Sequence, residues 1–308
     1  MIKRKVTVAE LVTKFNLKVV ANDAAINNIV ELVAISRLGL ELTGIFVYEK
    51  IKTISYLGAR ESAYLNTLSK VDINKSLEGI FKLSPPAIIL GKKFLYDKLI
   101  LEIAKKYKHV PIIKTDYNFN EIWFTISTYM AHIMANYHLF HGTLIEIFGI
   151  GVILMGNPGI GKSEIALELV QRGHIFVGDD AIELAQIGSV LWGRSSEITK
   201  GLIEVRGLGL LDFSKFFGYH KLVDYTQVQL VIELVDAKDK TQYERLGKTN
   251  FKRILDLNIP YYKIPIAPGR KVSDILECVI SDFTLKKRGL NTINEISKRI
   301  QKHGSIKK

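Results

Sequence analysis

Val152-Ile153-Leu154-Met155-Gly156-Asn157-Pro158-Gly159-Ile160-Gly161-Lys162-Ser163-Glu164-Ile165-Ala166-Leu167-Glu168-Leu169-Val170 is the stretch on which the reading of this chain turns. Its centre fits G-x-x-x-x-G-K-[ST], an apolar strand leads into it, and a helix-like run follows, so both flanks of a phosphate-binding loop are present. The chemistry asks for these residue types. Glycines let successive amides turn inward on a phosphate, and the helix N-terminus adds partial positive charge. A lysine, Lys162, reaches the β- and γ-phosphates, and the Ser163 hydroxyl suits Mg²⁺. Gly156, Asn157, Pro158, Gly159, Ile160, Gly161, Lys162 and Ser163 are therefore the expected nucleotide cradle.

Outward from that loop, short strands with tight turns are expected over Thr143–Phe148, Ile175–Val177, Ile182–Ile187, Val190–Trp192 and Gln227–Leu234. In the last, alternation places Val228, Leu230, Ile232 and Leu234 on one face. Upstream, Thr7-Val8-Ala9-Glu10 reads as a capping box opening a helix to about Phe15. Ala87–Leu90 reads as a buried strand, Lys93–Tyr107 as a helix and Val110–Ile113 as the next strand, an order that suggests a parallel α/β unit. A helix over Asn120–Asn136 links the halves. The expected architecture is α/β, with an N-terminal α/β domain over 1–132 and a P-loop domain with a mixed sheet and a basic C-terminal end over 133–308.

The 308 residues suffice for about two domains. At 47% hydrophobic and 24% charged, with 7 prolines, the composition excludes a largely disordered or fibrous chain. Cys278 is the single cysteine, which excludes an internal disulfide or a multi-cysteine zinc site and makes a reducing cytoplasm the expected compartment. The longest uncharged, mainly apolar run, Ile147–Gly156, falls short of the roughly 20 residues a spanning helix needs, so no membrane segment is expected. The net charge of +12 is concentrated at the end, where residues 286–308 carry eight cations against Glu295. The body is only mildly basic, and nucleic acid is not an expected partner.

A phosphate-binding loop leaves the acceptor open, because that depends on a base and on access of the nucleophile. Two apolar strands end in acids, at Asp179-Asp180 and at Asp236. Asp179-Asp180 follows the P-loop helix directly. A strand beside the P-loop strand would bring both carboxylates to one sheet edge, one on the metal side and one as proton acceptor. Asp236 reads as a polar strand end. His138 and His141 lie three apart just upstream, and pattern alone reads both as structural or surface residues.

With Ile203-Glu204-Val205-Arg206-Gly207-Leu208-Gly209-Leu210-Leu211-Asp212, the P-loop, Asp179-Asp180, His141-Gly142, Tyr243-Glu244-Arg245-Leu246-Gly247 and Pro268-Gly269-Arg270, the second half resembles the HPr kinase/phosphorylase family. The resemblance implies an enzyme that uses ATP with Mg²⁺ to phosphorylate a serine of the phosphocarrier protein HPr. It implies the reverse step as well, phosphorolysis by inorganic phosphate with release of pyrophosphate. It further implies a P-loop domain of the phosphoenolpyruvate carboxykinase type and a homohexamer. Carried over, Ser163 and Glu204 would ligate Mg²⁺, Lys162 would hold phosphates, and Asp180 would be base in one direction and acid in the other. Asp179 would support the metal side, and His141, Arg206 and Arg245 would complete the catalytic set. Ile266, Ala267, Pro268, Gly269, Arg270 and Lys271 would serve phosphorolysis. Two departures stand out: Ala267 where a basic residue is expected, and Lys271 where Asn is expected. Two other readings compete, a nucleotide-gated regulatory P-loop protein and a small-molecule kinase.

Overall fold

The computed structural model describes residues 4–45, 49–237, 250–267 and 269–290, together with Glu295, Arg299 and Gln301. The chain divides into two compact units, Met1–Ala135 and Asn136–Lys308. Among the described residues no helix is long and apolar enough to cross a membrane.

The first unit runs β1 (Val6–Thr7), α1 (Val8–Lys14), β2 (Lys18–Ala21), β3 (Ile29–Val30), β4 (Ile35–Arg37), α2 (Gly39–Leu42) and β5 (Ile54–Leu57). It continues through α3 (Ala59–Leu65), α4 (Lys70–Lys82), β6 (Ile88–Gly91), α5 (Asp97–Ala104), β7 (Ile112–Thr115) and α6 (Phe119–Ile133). The sheet order is β2-β7-β6-β5-β4, parallel from β4 to β7 and antiparallel only at β2. Strands β5 and β6 are buried along their whole length, as a sheet covered on both faces requires.

Local chemistry sets several of these boundaries. Thr7 accepts the Glu10 amide at 3.2 Å, but Glu10 Oε2 is buried without a hydrogen-bond partner, so only the Thr half of the expected capping box is made. A complete box instead opens α6, where Asn118 accepts from the Glu121 amide and Glu121 accepts from the Asn118 amide. The helix expected from Lys93 begins only at Asp97, because Phe94 N–H closes a turn on the Gly91 carbonyl at 2.9 Å.

The second unit runs β8 (His138–His141), β9 (Thr143–Ile147), β10 (Ile150–Gly156), α7 (Lys162–Gln171), β11 (Ile175–Gly178), β12 (Ala181–Ile187) and β13 (Val190–Ser195). After these come β14 (Leu202–Val205), β15 (Gly209–Asp212), α8 (Phe213–Phe217), β16 (Tyr225–Asp236), β17 (Asn250–Ile254), β18 (Leu257–Ile266) and α9 (Val272–Lys287). The sheet order is β11-β9-β10-β16-β13-β12-β8, with β18 also on β16 and β17 on β18. It is mixed: β10, β16 and β18 are parallel, and the remaining neighbours are antiparallel.

One face of this sheet carries Val152, Leu154, Leu230, Ile232 and Leu234 against α7 and α9, and the other carries Ile153, Val228 and Val231. Val228 thus departs from the single face that strict alternation assigns it. The pairing with β10 steps from Gly151 opposite Val228 to Val152 opposite Leu230, and this extra residue in β16 turns Val228 to the opposite side.

Candidate active site

The second sheet gathers chain ends at one edge. Gly156 closes β10, whose Leu154 pairs with Thr143 at the start of antiparallel β9, and Leu144 in turn pairs with Gly178 at the end of β11. β11 therefore points the same way as β10 but lies one strand further out. The sequence places it directly beside the P-loop strand; β9 intervenes. The same edge receives Asp236 at the end of β16 and Ile266 opposite it at the end of β18. Carboxyl ends of strands in open α/β sheets are where ligands bind.

Gly156–Ser163 passes from β10 into α7 as a tight turn. Gly156, Gly159 and Gly161 have φ of 149°, 79° and 99°, values that favour glycine. At Gly156 an added Cβ would stand 2.7 Å from the Leu234 carbonyl oxygen, so the loop closes against the neighbouring backbone of β16. The α7 face bearing Ile165, Ala166, Leu169 and Val170 is buried, which anchors the helix whose N-terminus the loop presents. Lys162 Nζ donates to the Gly156 carbonyl at 3.1 Å and lies within 3.5 Å of the Asn157 carbonyl, lying back over the turn it would share with phosphates. Ser163 is half-buried in the first helical turn.

Asp179 and Asp180 have different surroundings. Asp179 is 4% exposed; its Oδ1 accepts the Thr143 hydroxyl at 2.6 Å, and its Oδ2 is buried with no hydrogen-bond partner. Asp180 is exposed, with a φ of 61° that few non-glycine residues adopt. The chain reverses there, Ala181 N–H donating to the Asp179 carbonyl at 2.7 Å and Gly142 N–H to the Asp180 carbonyl at 3.1 Å. Those bonds bring His141-Gly142-Thr143 against the acid pair across nearly forty residues, and His141 lies opposite Ala181 in the β8–β12 ladder. His141 is exposed; His138, at the other end of β8, pairs with Leu184 and lies away from the acids.

Glu204 and Arg206 arrive on the β14–β15 hairpin. Ile203 and Val205 are buried with α7 in one core cluster, so Glu204 between them is exposed, and Arg206 follows at the turn. Arg206 Nη2 would lie 2.6 Å from a Cβ on Gly159, which sets its guanidinium against the exposed turn of the phosphate loop. Ile266 and Ala267 are half-buried at the end of β18, and Gly269, Arg270 and Lys271 are exposed before α9. Arg245, with the segment around it, and Pro268 lie outside the described residues. Thr143, the partner of Asp179, was not singled out by the sequence, and an isolated threonine at a strand start carries no signal that could have found it.

Ser163, Glu204 and Asp179 offer hydroxyl and carboxylate oxygens, the hard donors that Mg²⁺ takes. The orphaned Oδ2 of Asp179 is the kind of buried acceptor that a cation or its water satisfies. Among the described residues no group of three or more His, Cys, Asp or Glu forms a metal cage, and Mg²⁺ at a nucleotide needs only one or two protein ligands besides phosphates. The residues fit the ion.

The family model "HPr Serine kinase C-terminal domain" matches residues 132–300, and "HPr Serine kinase N terminus" matches residues 6–130. The HPr kinase/phosphorylase of Mycoplasma pneumoniae is 38% identical over 294 residues, covering 94% of both chains. That of Mycoplasma genitalium is 39% identical over 297 residues, covering 95% of both. A solved chain, the Hpr(Ser) kinase/phosphatase from Coxiella burnetii, is 32% identical with a TM-score of 0.47, over 49% of this chain and 93% of that one. With both family models matched in order and relatives alike over nearly the full length, the chain belongs to the HPr kinase/phosphorylase family.

Proposed function

We propose that this protein transfers the γ-phosphoryl group of ATP to a serine of HPr and, in the opposite sense, removes it by phosphorolysis. The observation that supports this reading is that the strand ending in the phosphate-binding loop and the strand leading to the exposed Asp180 finish at one sheet edge, with β9 between them. A base that serves a seryl hydroxyl on another protein has to be reachable from outside, and of the two acids only Asp180 is.

In the forward direction the loop amides and Lys162 hold the triphosphate while Asp180 accepts the seryl proton. The serine oxygen bonds to the γ-phosphorus, the bond to the β-phosphate oxygen breaks, and ADP leaves. In reverse an oxygen of inorganic phosphate bonds to the phosphoseryl phosphorus, the bond to the serine oxygen breaks, and pyrophosphate leaves. Asp180, carrying the proton lost by the incoming phosphate, returns one to the serine oxygen. Bound Mg²⁺ would neutralise phosphate charge, with Ser163 and Glu204 as its ligands and Asp179 supporting the metal side. Arg206 against the loop, His141 beside the acids and Arg245 supply positive charge or hydrogen bonds to the moving phosphoryl. Ile266 to Lys271 serve the phosphate that enters in reverse.

The finer fold reading, a P-loop domain of the phosphoenolpyruvate carboxykinase type, draws support from the P-loop strand having an antiparallel neighbour on one side and a parallel one on the other. Domains at 1–132 and 133–308, a cytoplasmic location and a homohexamer complete the proposal.

The test is transfer of labelled γ-phosphoryl from ATP with Mg²⁺ to HPr and to an HPr with Ala at the acceptor serine, followed by inorganic phosphate. Label on the normal HPr alone, released as pyrophosphate, is the expected result. Failure to label HPr by a folded protein that binds ATP would overturn the acceptor.

A further inference from the structure

The first unit has its own convergent sheet edge. Parallel strands β4, β5, β6 and β7 all end there, and a cavity of about 520 Å³ opens among the residues at and just beyond those ends. Its floor is fixed by close packing. The Tyr56 ring lies across Gly58 and Gly91, where a Cβ would come 2.7 Å from the ring at Gly58 and would overlap the phenol at Gly91.

The cavity also holds a guanidinium in a set orientation. Arg37, the last residue of β4, is bonded through Nε and Nη2 to the two oxygens of Glu61 at 2.9 and 3.0 Å. Glu61 is 4% exposed and also accepts the Gly58 amide at 2.8 Å. The Phe119 ring centroid lies 4.9 Å from the Arg37 guanidinium carbon. Both groups are costly to bury, and their mutual fork locks the Arg37 side chain where a ligand can use it. Around it stand Arg60, Lys92 and Lys93, all exposed, with Asp116 as the one acid of the lining. Counting Glu61 and Glu121, whose carboxylate accepts the Asn118 amide at 2.8 Å, the four cations leave the site a net charge of +1.

We propose that this cavity binds a small phosphate monoester carrying a ring. A phosphate monoester at neutral pH brings a charge near −2, which the net positive site attracts, and three acceptor oxygens for the guanidinium and ammonium donors. The exposed Tyr117 ring and the half-buried Phe119 ring, both in the lining, take the ring. The lining residues all belong to the first unit, whereas the phosphoryl-transfer chemistry is assigned to the second.

Phenyl phosphate is the probe. Calorimetric titration of the full chain should show binding that weakens about tenfold or more in Lys92→Gln/Lys93→Gln, from lost charge-assisted bonds. The affinity should be unchanged in Lys162→Ala. Both lysines of the double variant are exposed, and circular dichroism checks that it folds. Four outcomes would overturn the proposal: no binding to the wild type, equal affinity in the double variant, loss only in Lys162→Ala, which would place the probe in the phosphate loop, or the same heats with sulfate at matched ionic strength.

Discussion

At Asp180 the backbone takes φ of 61°, and the carbonyl receives the Gly142 amide, so the side chain is presented outward at a position the fold specifies from both sides. Asn tolerates this conformation, which makes Asp180→Asn a clean removal of the proposed base. Phosphorylation and phosphorolysis should both fall by roughly 10² to 10⁴-fold in that variant, with an unchanged melting profile. Loss in one direction only would contradict a shared acid and base. Lys162→Ala should abolish transfer with the fold intact, read by turnover beside circular dichroism, because in the proposed mechanism its ammonium meets charge that develops on the phosphoryl group. Ala267, half-buried at the end of β18, leaves a methyl group where the family resemblance leads one to expect a cation. Ala267→Arg should raise the phosphate-dependent rate relative to the kinase rate, and equal ratios in variant and wild type would show that the missing charge does not matter.

At the scale of elements, the phosphate loop is held by the strand beside it as much as by its own glycines. A methyl group on Gly156 meets the fixed Leu234 carbonyl, whereas one on Gly159 meets the end of the exposed Arg206 side chain. Gly156→Ala should therefore lower stability in urea unfolding more than Gly159→Ala, by about 1–3 kcal/mol from backbone strain and the clash, and both should weaken ATP binding. The elements themselves were largely legible. β10, α7, β12, β13 and α6 come from apolar periodicity and lie close to their expected ranges. What periodicity missed was long-range. The turn of Val228 depends on a bulge against β10, and the late start of α5 on a turn closed by Gly91. Of the basic C-terminal end, Lys286 and Lys287 belong to α9, the first paired with Asp282 and the second with Gln229, each at 2.7 Å.

For the whole molecule, acid is the most informative perturbation. Burial works against the charge of Glu61, but the Arg37 fork and the amides of Gly58 and Glu61 outweigh it, and its pKa lies below the usual 4.5. The sign follows directly. The ion pair contributes its full stability above the unfolded value, and that contribution is lost as pH falls from about 4.5 through the lower folded value. A chain of net charge +12 gains further self-repulsion over the same range. Urea midpoints measured from neutral pH downward should fall in the wild type, and less steeply in Glu61→Gln. That variant should also start lower, because Arg37 loses its charged partner. Parallel curves would show that Glu61 does not carry the acid sensitivity.

By itself the sequence determined the phosphate loop, the alternation of strands and helices, and the order of motifs that resembles one family. Each of these is written in neighbouring residues, where glycine conformation, side-chain periodicity and capping act over a few positions. Tertiary structure alone decided that β9 lies between the acid-bearing strand and the phosphate loop, that Thr143 holds Asp179 while Asp180 faces outward, and that Arg37 is clamped by Glu61 over a cavity in the first unit. These depend on which strands pair and in what register. Pairing is settled by the joint burial of both sheet faces, so residues far apart in the chain meet in ways that no local pattern encodes.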